Sequence, residues 1–200
     1  MVGPPSDEIL ILASRSAARQ AMLHDAGVAF TVEVADVDED ALKTPGVDPA
    51  RLAVDLARLK ALAVSRHHED AWVLGADQTL AFDGVLVSKA RSLDEAHERL
   101  AAMRGRSHAL YSGAALAYRG QIVWSGVDVA HMQMRDFSDI FLDAYLREEG
   151  EGLLSCVGSY RLEGMGAQLF DSVDGDHFTV LGLPLWPVLA ELRRAGVILT

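Results

Sequence analysis

The chain has 200 residues, half of them apolar, and carries 29 acidic against 18 basic side chains for a net charge of -11. That size and apolar content suit one domain with a sizeable core, residues 1–200 as one folding unit, while the negative field argues against a nucleic-acid polymer as partner. No apolar run approaches the roughly 20 residues that span a bilayer, and the start, Met1 to Glu8, shows neither a basic patch nor an apolar signal core. With a single cysteine, Cys156, there is no internal disulfide and no cysteine-based zinc cluster, so a cytoplasmic protein in a reducing compartment is expected, without a membrane partner. A small anionic substrate stays compatible with the overall charge if Lys and Arg cluster locally and a divalent metal assists.

The apolar run from Ile9 to Ala13 reads as a buried strand, passing through Ser14-Arg15-Ser16 into an Ala-rich helix that ends at Gly27. Val28 to Val34 reads as a second strand, followed by the acidic loop Asp36 to Asp40. Asp48 and Pro49 form an N-cap and N1 pair opening a helix to about Arg66, with Leu52, Leu56, Leu59 and Ala63 as its buried stripe. Trp72 to Leu74 reads as a short strand stopping at Gly75-Ala76-Asp77-Gln78, and Thr79 to Val87 as further extended chain around an Asp83-Gly84 turn. Ser92 with Glu95 predicts a capped helix to Met103. His108 to Tyr118 and Gln121 to Met134 predict a long hairpin turning at Arg119-Gly120, and Ser138 caps another helix to about Glu149. Gly158 to Gly166 reads as irregular or strand-edge chain, and the tail as a strand from Phe178 to Leu183, a turn at Pro184 and a last helix closed by Gly196. Strands and helices interleave, and the long hairpin makes the sheet mixed, so the fold class is α/β.

Three placements carry chemistry. Arg19 heads the apolar stripe Met22, Leu23, Ala26 of the first helix. It either points inward, forming an anion site with the Ser14 and Ser16 hydroxyls and the helix N-terminus, or snorkels out beside an N-cap at Ser16. Lys60 interrupts the small-residue row Ala53, Ala57, Val64, and either reaches a cleft or covers apolar surface with its stem. Asp77 follows an apolar strand after two small residues, where open α/β sheets put ligand-binding groups, and a carboxylate there can hold a metal or deprotonate water. Glu39 and Asp38 are metal ligands or a solvated loop. P-loop, dinucleotide and zincin motifs are absent, and His67, His68 and His177 read as surface or loop histidines.

These segments resemble the Maf-type nucleotide pyrophosphatases, whose fold is related to that of the inosine triphosphatases. The resemblance lies in Ile9-Leu-Ile-Leu-Ala-Ser-Arg-Ser-Ala-Ala-Arg19, Val37-Asp38-Glu39, Leu59-Lys60-Ala61, Gly75-Ala-Asp77-Gln78, Lys89, Gly158-Ser-Tyr-Arg-Leu-Glu163-Gly164 and Leu181-Gly-Leu-Pro184, in the family's order along nearly the whole chain. It implies a mixed, strongly bent sheet with flanking helices in two lobes around a cleft, and hydrolysis of a nucleoside triphosphate to monophosphate and pyrophosphate. Asp77 is then the proton acceptor, and Glu39 with Asp77 holds a divalent cation, Mg2+ or Mn2+. Ser14, Ser16, Arg19, Lys60 and Lys89 grip the triphosphate.

Within the family, Asp77-Gln78 and the Ser159 to Gly166 run resemble the branch acting on 7-methyl-GTP, with Gln78 and Glu163 selecting the base. The UTP and dTTP branch has Thr after the Asp and Gln where Glu163 stands. Ala17 replaces the family's Pro, Ala18 occupies a specificity position held by Trp or Arg in the two branches, and Ser88-Lys89-Ala90 replaces Gly-Lys-Pro. The resemblance also implies a homodimer. The alternatives are the pyrimidine-nucleotide activity and a non-catalytic regulator of septum formation, which would not need Glu39, Asp77, Arg19, Lys60 and Lys89 together.

Overall fold

The computed structural model describes residues 9–44 and 46–200, so the expectation resting on Met1 to Glu8 lies outside the described residues. Among the described residues, seven strands and six α-helices follow one another: β1 (Ile9–Leu12), α1 (Ala17–Asp25), β2 (Thr31–Val32), α2 (Pro49–Ser65), β3 (Ala71–Phe82), β4 (Val85–Val87), α3 (Leu93–Met103), β5 (Ser107–Tyr118), β6 (Gln121–Met134), α4 (Asp139–Glu149), β7 (Phe170–Asp174), α5 (His177–Val180) and α6 (Leu185–Arg194). The sheet runs β2-β1-β3-β5-β6-β7 with β4 paired to β3. It is mixed, as expected: β1 is parallel to β2 and β3, whereas β3–β4 and β6–β7 are antiparallel. Among the described residues no helix is long and apolar enough to cross a membrane.

The chain forms two compact units. The first takes the described residues up to Gln78, Tyr111–Asp128 and His177–Thr200; the second takes Thr79–Leu110 and Val129–Asp176. Strand alternation organises the first unit. Leu10, Leu12, Leu74, Ala76, Ala114 and Leu116 face one side, packed with Met22 and Leu23 of α1 and Leu185, Val188 and Leu192 of α6. Ile11, Ala13, Ala71, Val73, Ala115 and Ala117 face the other, packed against Ala57, Ala61 and Val64 of α2.

The buried row of α2 is therefore Ala53, Ala57, Ala61 and Val64 alongside Leu52 and Leu56, whereas Leu59 and Ala63 are only half-buried, contrary to the stripe expected from leucine periodicity. The cause is two glycines on the facing strands. A Cβ on Gly75 would stand 2.1 Å from the Ala57 carbonyl oxygen, and one on Gly113 would stand 2.4 Å from the Ala53 carbonyl. Backbone thus lies on backbone, and only small side chains fit between. For the same reason Gly75 does not end a strand: β3 continues through Asp77 to Phe82 before turning at Asp83-Gly84, where an interruption was expected.

Two other elements differ from expectation. Val28 to Val34 contributes only the two residues of β2, which sits at the sheet edge with both side chains exposed and pairs with β1 alone. Phe178 to Leu183 is not a strand. Leu181 N–H donates to His177 C=O and Leu183 N–H to Phe178 C=O, which coils the segment through α5, and a six-residue apolar run does not by itself separate the two states.

In the second unit α3 starts at Ser92, whose hydroxyl accepts from Glu95 N–H, while the Glu95 carboxylate accepts from Arg91 N–H one residue before the cap. Ser138 caps α4 by accepting from Phe141 N–H. The Gly158 to Gly166 stretch is irregular, as expected, and is pinned to the helices: Arg99 donates to Val157 C=O, and Glu149 accepts from both Arg161 and Met165 N–H.

Candidate active site

Residues 71, 73, 75 and 77 share the face of β3 turned to α2, so the glycine that admits the helix also brings Asp77 beneath Lys60, four residues past Leu56. The Lys60 ammonium lies 2.5 Å from Asp77 Oδ1 and 2.8 Å from Glu39 Oε1. The Lys60 and Asp77 side chains are 13 % and 14 % exposed and Glu39 is 39 % exposed, so the pair is largely withdrawn from solvent with one carboxylate open to it. The Lys60 ammonium turns toward these two carboxylates. Glu39 precedes a short 3-10 turn, Asp40–Leu42, and Asp38 caps that turn from an exposed position, accepting from Asp40 N–H. The acidic loop thus divides into one residue facing the lysine and one facing water.

Both readings of the α1 start hold in part. Ser16 is the N-cap, accepting from Arg19 N–H at 3.4 Å. Arg19 itself is buried at 8 % exposure and does not snorkel. Its Nη1 donates to Ser14 Oγ and to Ala76 C=O, both at 3.0 Å, and its Nε donates to Gly182 C=O at 2.7 Å. Burial lowers the guanidinium's pKa from its usual value, and the charges of Asp77 and Glu39 oppose that shift. A buried cation is tolerable only with such partners. Ala18, half-buried, lies in the first turn of α1 beside it.

Gln78 points to the opposite face of β3 from Asp77. Its amide nitrogen donates to Thr179 C=O, Val180 C=O and Ser112 Oγ at 3.0, 3.0 and 3.1 Å. Ser112 in turn donates to Thr179 C=O at 2.7 Å, and Thr179 Oγ1 to Asp128 at 3.0 Å. Ser112, Thr179 and Asp128 were not anticipated. Thr179 lies in the segment misread as a strand, and Ser112 shows in the sequence only as one polar residue in an apolar strand.

In the second unit Lys89 and Glu163 are both exposed, and their charges, with that of Arg161, act on the Cys156 thiol. Burial raises that thiol's pKa, which fits Cys156 as an inert packing residue. His67 and His177 are exposed, and His68 bonds Glu33 at 2.7 Å. Buried His108, which did not stand out in the sequence, bonds Tyr160 OH at 2.6 Å.

Glu39, Lys60, Asp77, Arg19, Ser14 and Ser16 thus gather in the first unit as two carboxylates, two cations and a capped helix N-terminus, a set suited to holding phosphate oxygens and moving a proton.

The chain matches the family model described as Maf-like protein over residues 9–195. It is 44% identical over 194 residues to the 7-methyl-GTP pyrophosphatase of Rhizobium meliloti, covering 95% of this chain and 98% of that one. It is 47% identical to the nucleoside triphosphate pyrophosphatase of Paramagnetospirillum magneticum, covering 93% and 98%, and 47% identical to that of Caulobacter vibrioides, covering 94% and 96%. A solved nucleoside-triphosphatase / dITP/XTP pyrophosphatase from Mycobacterium abscessus aligns over 93% of this chain and 94% of its own at 17% identity and a TM-score of 0.45. By the family match and by relatives covered over almost their entire length, the chain belongs to the Maf family of nucleoside triphosphate pyrophosphatases.

Proposed function

We propose that this chain cleaves a nucleoside triphosphate between the α and β phosphates, with 7-methyl-GTP as preferred substrate. The observation that carries the reaction is Lys60 bridging Asp77 and Glu39 beside buried Arg19. Asp77 takes a proton from water as its oxygen bonds the α phosphorus; the bridging P–O bond breaks and its electron pair leaves with pyrophosphate. Attack on an already anionic centre needs cations that offset the charge gathering on the transferred and leaving groups. Lys60, Arg19 and Lys89 supply them, with Ser14, Ser16 and the start of α1 orienting phosphate oxygens.

A divalent cation fits the donor set. Among the described residues no group of three or more His, Cys, Asp or Glu side chains is placed to hold a metal. The two carboxylates Glu39 and Asp77 would hold Mg2+ or Mn2+. Such an ion would supply charge neutralisation at the phosphates.

The base preference rests on Glu163. Guanine presents N1–H and a 2-amino group side by side to one carboxylate, and N7 methylation adds positive charge that a carboxylate favours. Relatives named as 7-methyl-GTP pyrophosphatases support this, and those named more broadly as nucleoside triphosphate pyrophosphatases support the reaction alone. The test is a panel of 7-methyl-GTP, GTP, UTP and dTTP with Mg2+ or Mn2+, and product separation. Monophosphate plus pyrophosphate, with 7-methyl-GTP fastest and loss of turnover in chelator, is expected. Orthophosphate plus diphosphate, or full activity in chelator, refutes the reaction; equal rates refute the preference.

A further inference from the structure

We infer that Gln78 is a positioning residue: its carboxamide locks the segment His177 to Leu183 in place, and through that segment it fixes Arg19. The orientation of the amide follows from its partners. Thr179 and Val180 present carbonyl oxygens, which only accept, and Ser112 Oγ already gives its hydrogen to Thr179 C=O. All three therefore require a donor, and the two N–H bonds of the Gln78 amide are shared among them. The same segment is held at its middle by Thr179 Oγ1 on Asp128 and at its end by Gly182 C=O on Arg19 Nε. Gly182 has φ +99, and a Cβ there would stand 3.4 Å from Arg19 Nη2 and 3.7 Å from the Gln78 carboxamide carbon, so the loop backbone lies directly on both side chains.

Arg19 closes the circuit. Its Nη1 donates to Ala76 C=O, the residue before Asp77, so the chain of contacts runs Gln78, residues 179–182, Arg19, Ala76. A loosened segment would remove the Gly182 acceptor from a buried guanidinium, which would then reorient and leave the phosphate-binding geometry. The Gln78 nitrogen is thereby committed to internal acceptors on the sheet face opposite Asp77. The kinetic part of the inference rests on the pyrophosphatase reading, and the exchange part does not.

The test is Gln78→Met, close in shape and without the amide donors, and Gln78→Glu, which sets a carboxylate against three acceptors. The amides of Leu181, Gly182 and Leu183, which bond His177, Thr179 and Phe178 carbonyls, are followed by hydrogen exchange. Expected are faster exchange at these amides in both variants and a fall in kcat of about tenfold or more with KM changed little. Gln78→Glu recovers relative to wild type as pH falls, because the protonated carboxyl regains one donor. Thr179→Val, which removes one bond of the same segment, gives a smaller loss in the same direction and remains informative if Gln78→Met does not fold. Its combination with Gln78→Met is non-additive. Normal exchange at residues 181–183, or a kcat equal to that of wild type in both Gln78 variants, overturns the inference. A wild type without pyrophosphatase activity sinks the functional reading alone, and exchange still decides whether Gln78 holds the segment.

Discussion

Gly75→Ala asks whether the approach of α2 to β3 sets the active-site geometry. The added methyl would lie 2.1 Å from the Ala57 carbonyl oxygen, 2.7 Å from Ala61 N and 2.9 Å from Ala61 Cβ, two of these being backbone atoms that cannot rotate away. Restoring an ordinary contact of roughly 3.5 Å requires the helix to retreat by on the order of 1 Å. Overpacking of this kind costs about 1 to 3 kcal/mol. Each kcal/mol lowers Tm by about 2 to 4 °C in a chain of this size. The same retreat lengthens the 2.5 Å contact between Lys60 and Asp77 toward the limit of a hydrogen bond. A misplacement of about 1 Å at reacting groups costs roughly a hundredfold in rate. Melting by calorimetry and pyrophosphate release measure the two effects on one preparation. Gly113→Ala, which meets Ala53 nearly two turns before Lys60, should lower Tm comparably with a smaller loss of rate. A Gly75→Ala protein that melts and turns over like wild type refutes the coupling of helix approach to catalysis.

Asp77→Asn keeps shape while removing the proposed proton acceptor; turnover should fall by about 10² to 10⁴ with little change in Tm, and retention of more than about a tenth of the rate would rule Asp77 out as the base. Glu163→Gln can donate to a pyrimidine carbonyl, so the kcat/KM ratio for 7-methyl-GTP over UTP should fall by roughly tenfold to a hundredfold, matching about 1 to 3 kcal/mol; an unchanged ratio removes Glu163 from recognition. Burial lowers His108 from its usual value of 6.5 to about 4. The unfolded chain therefore binds a proton that the folded chain does not, and the stability contribution is full above about pH 6.5 and lost as pH falls toward 4. In His108→Gln, which can still hydrogen-bond Tyr160, Tm should fall less over that interval than in wild type, and parallel Tm curves would contradict the assignment.

How much the sequence disclosed depended on whether the signal was local. Caps at Ser16, Asp48, Ser92 and Ser138 and the turns at Asp83-Gly84 and Arg119-Gly120 depend on neighbouring residues, and each stands where expected. Arg19 and Lys60 were visible as charges in apolar or small-residue rows. The contact of Lys60 with Asp77 and Glu39 was not, because it is made by helix against strand across 17 and 21 residues of sequence. The leucine stripe of α2 misled for a related reason: Gly75 and Gly113, far from the helix in sequence, reward small residues over large ones at the contact. The clamp of Ser112, Thr179 and Val180 on Gln78 joins residues up to 102 positions apart and left no local mark.

The partition of the chain into interleaved segments bears on how the site comes into being during synthesis. The first unit is finished only by His177–Thr200, after the chain has passed through the second unit twice. Until Gly182 emerges, the Arg19 guanidinium lacks one of the carbonyls that make its burial tolerable, and the Gln78 amide lacks two of its acceptors. A nascent chain stalled before residue 177 therefore holds Asp77, Lys60 and Glu39 but not the backbone that fixes Arg19 beside them. Assembly of the proposed anion-binding site is a late event, coupled to arrival of the C-terminal segment and not to completion of the strand that bears the proposed base.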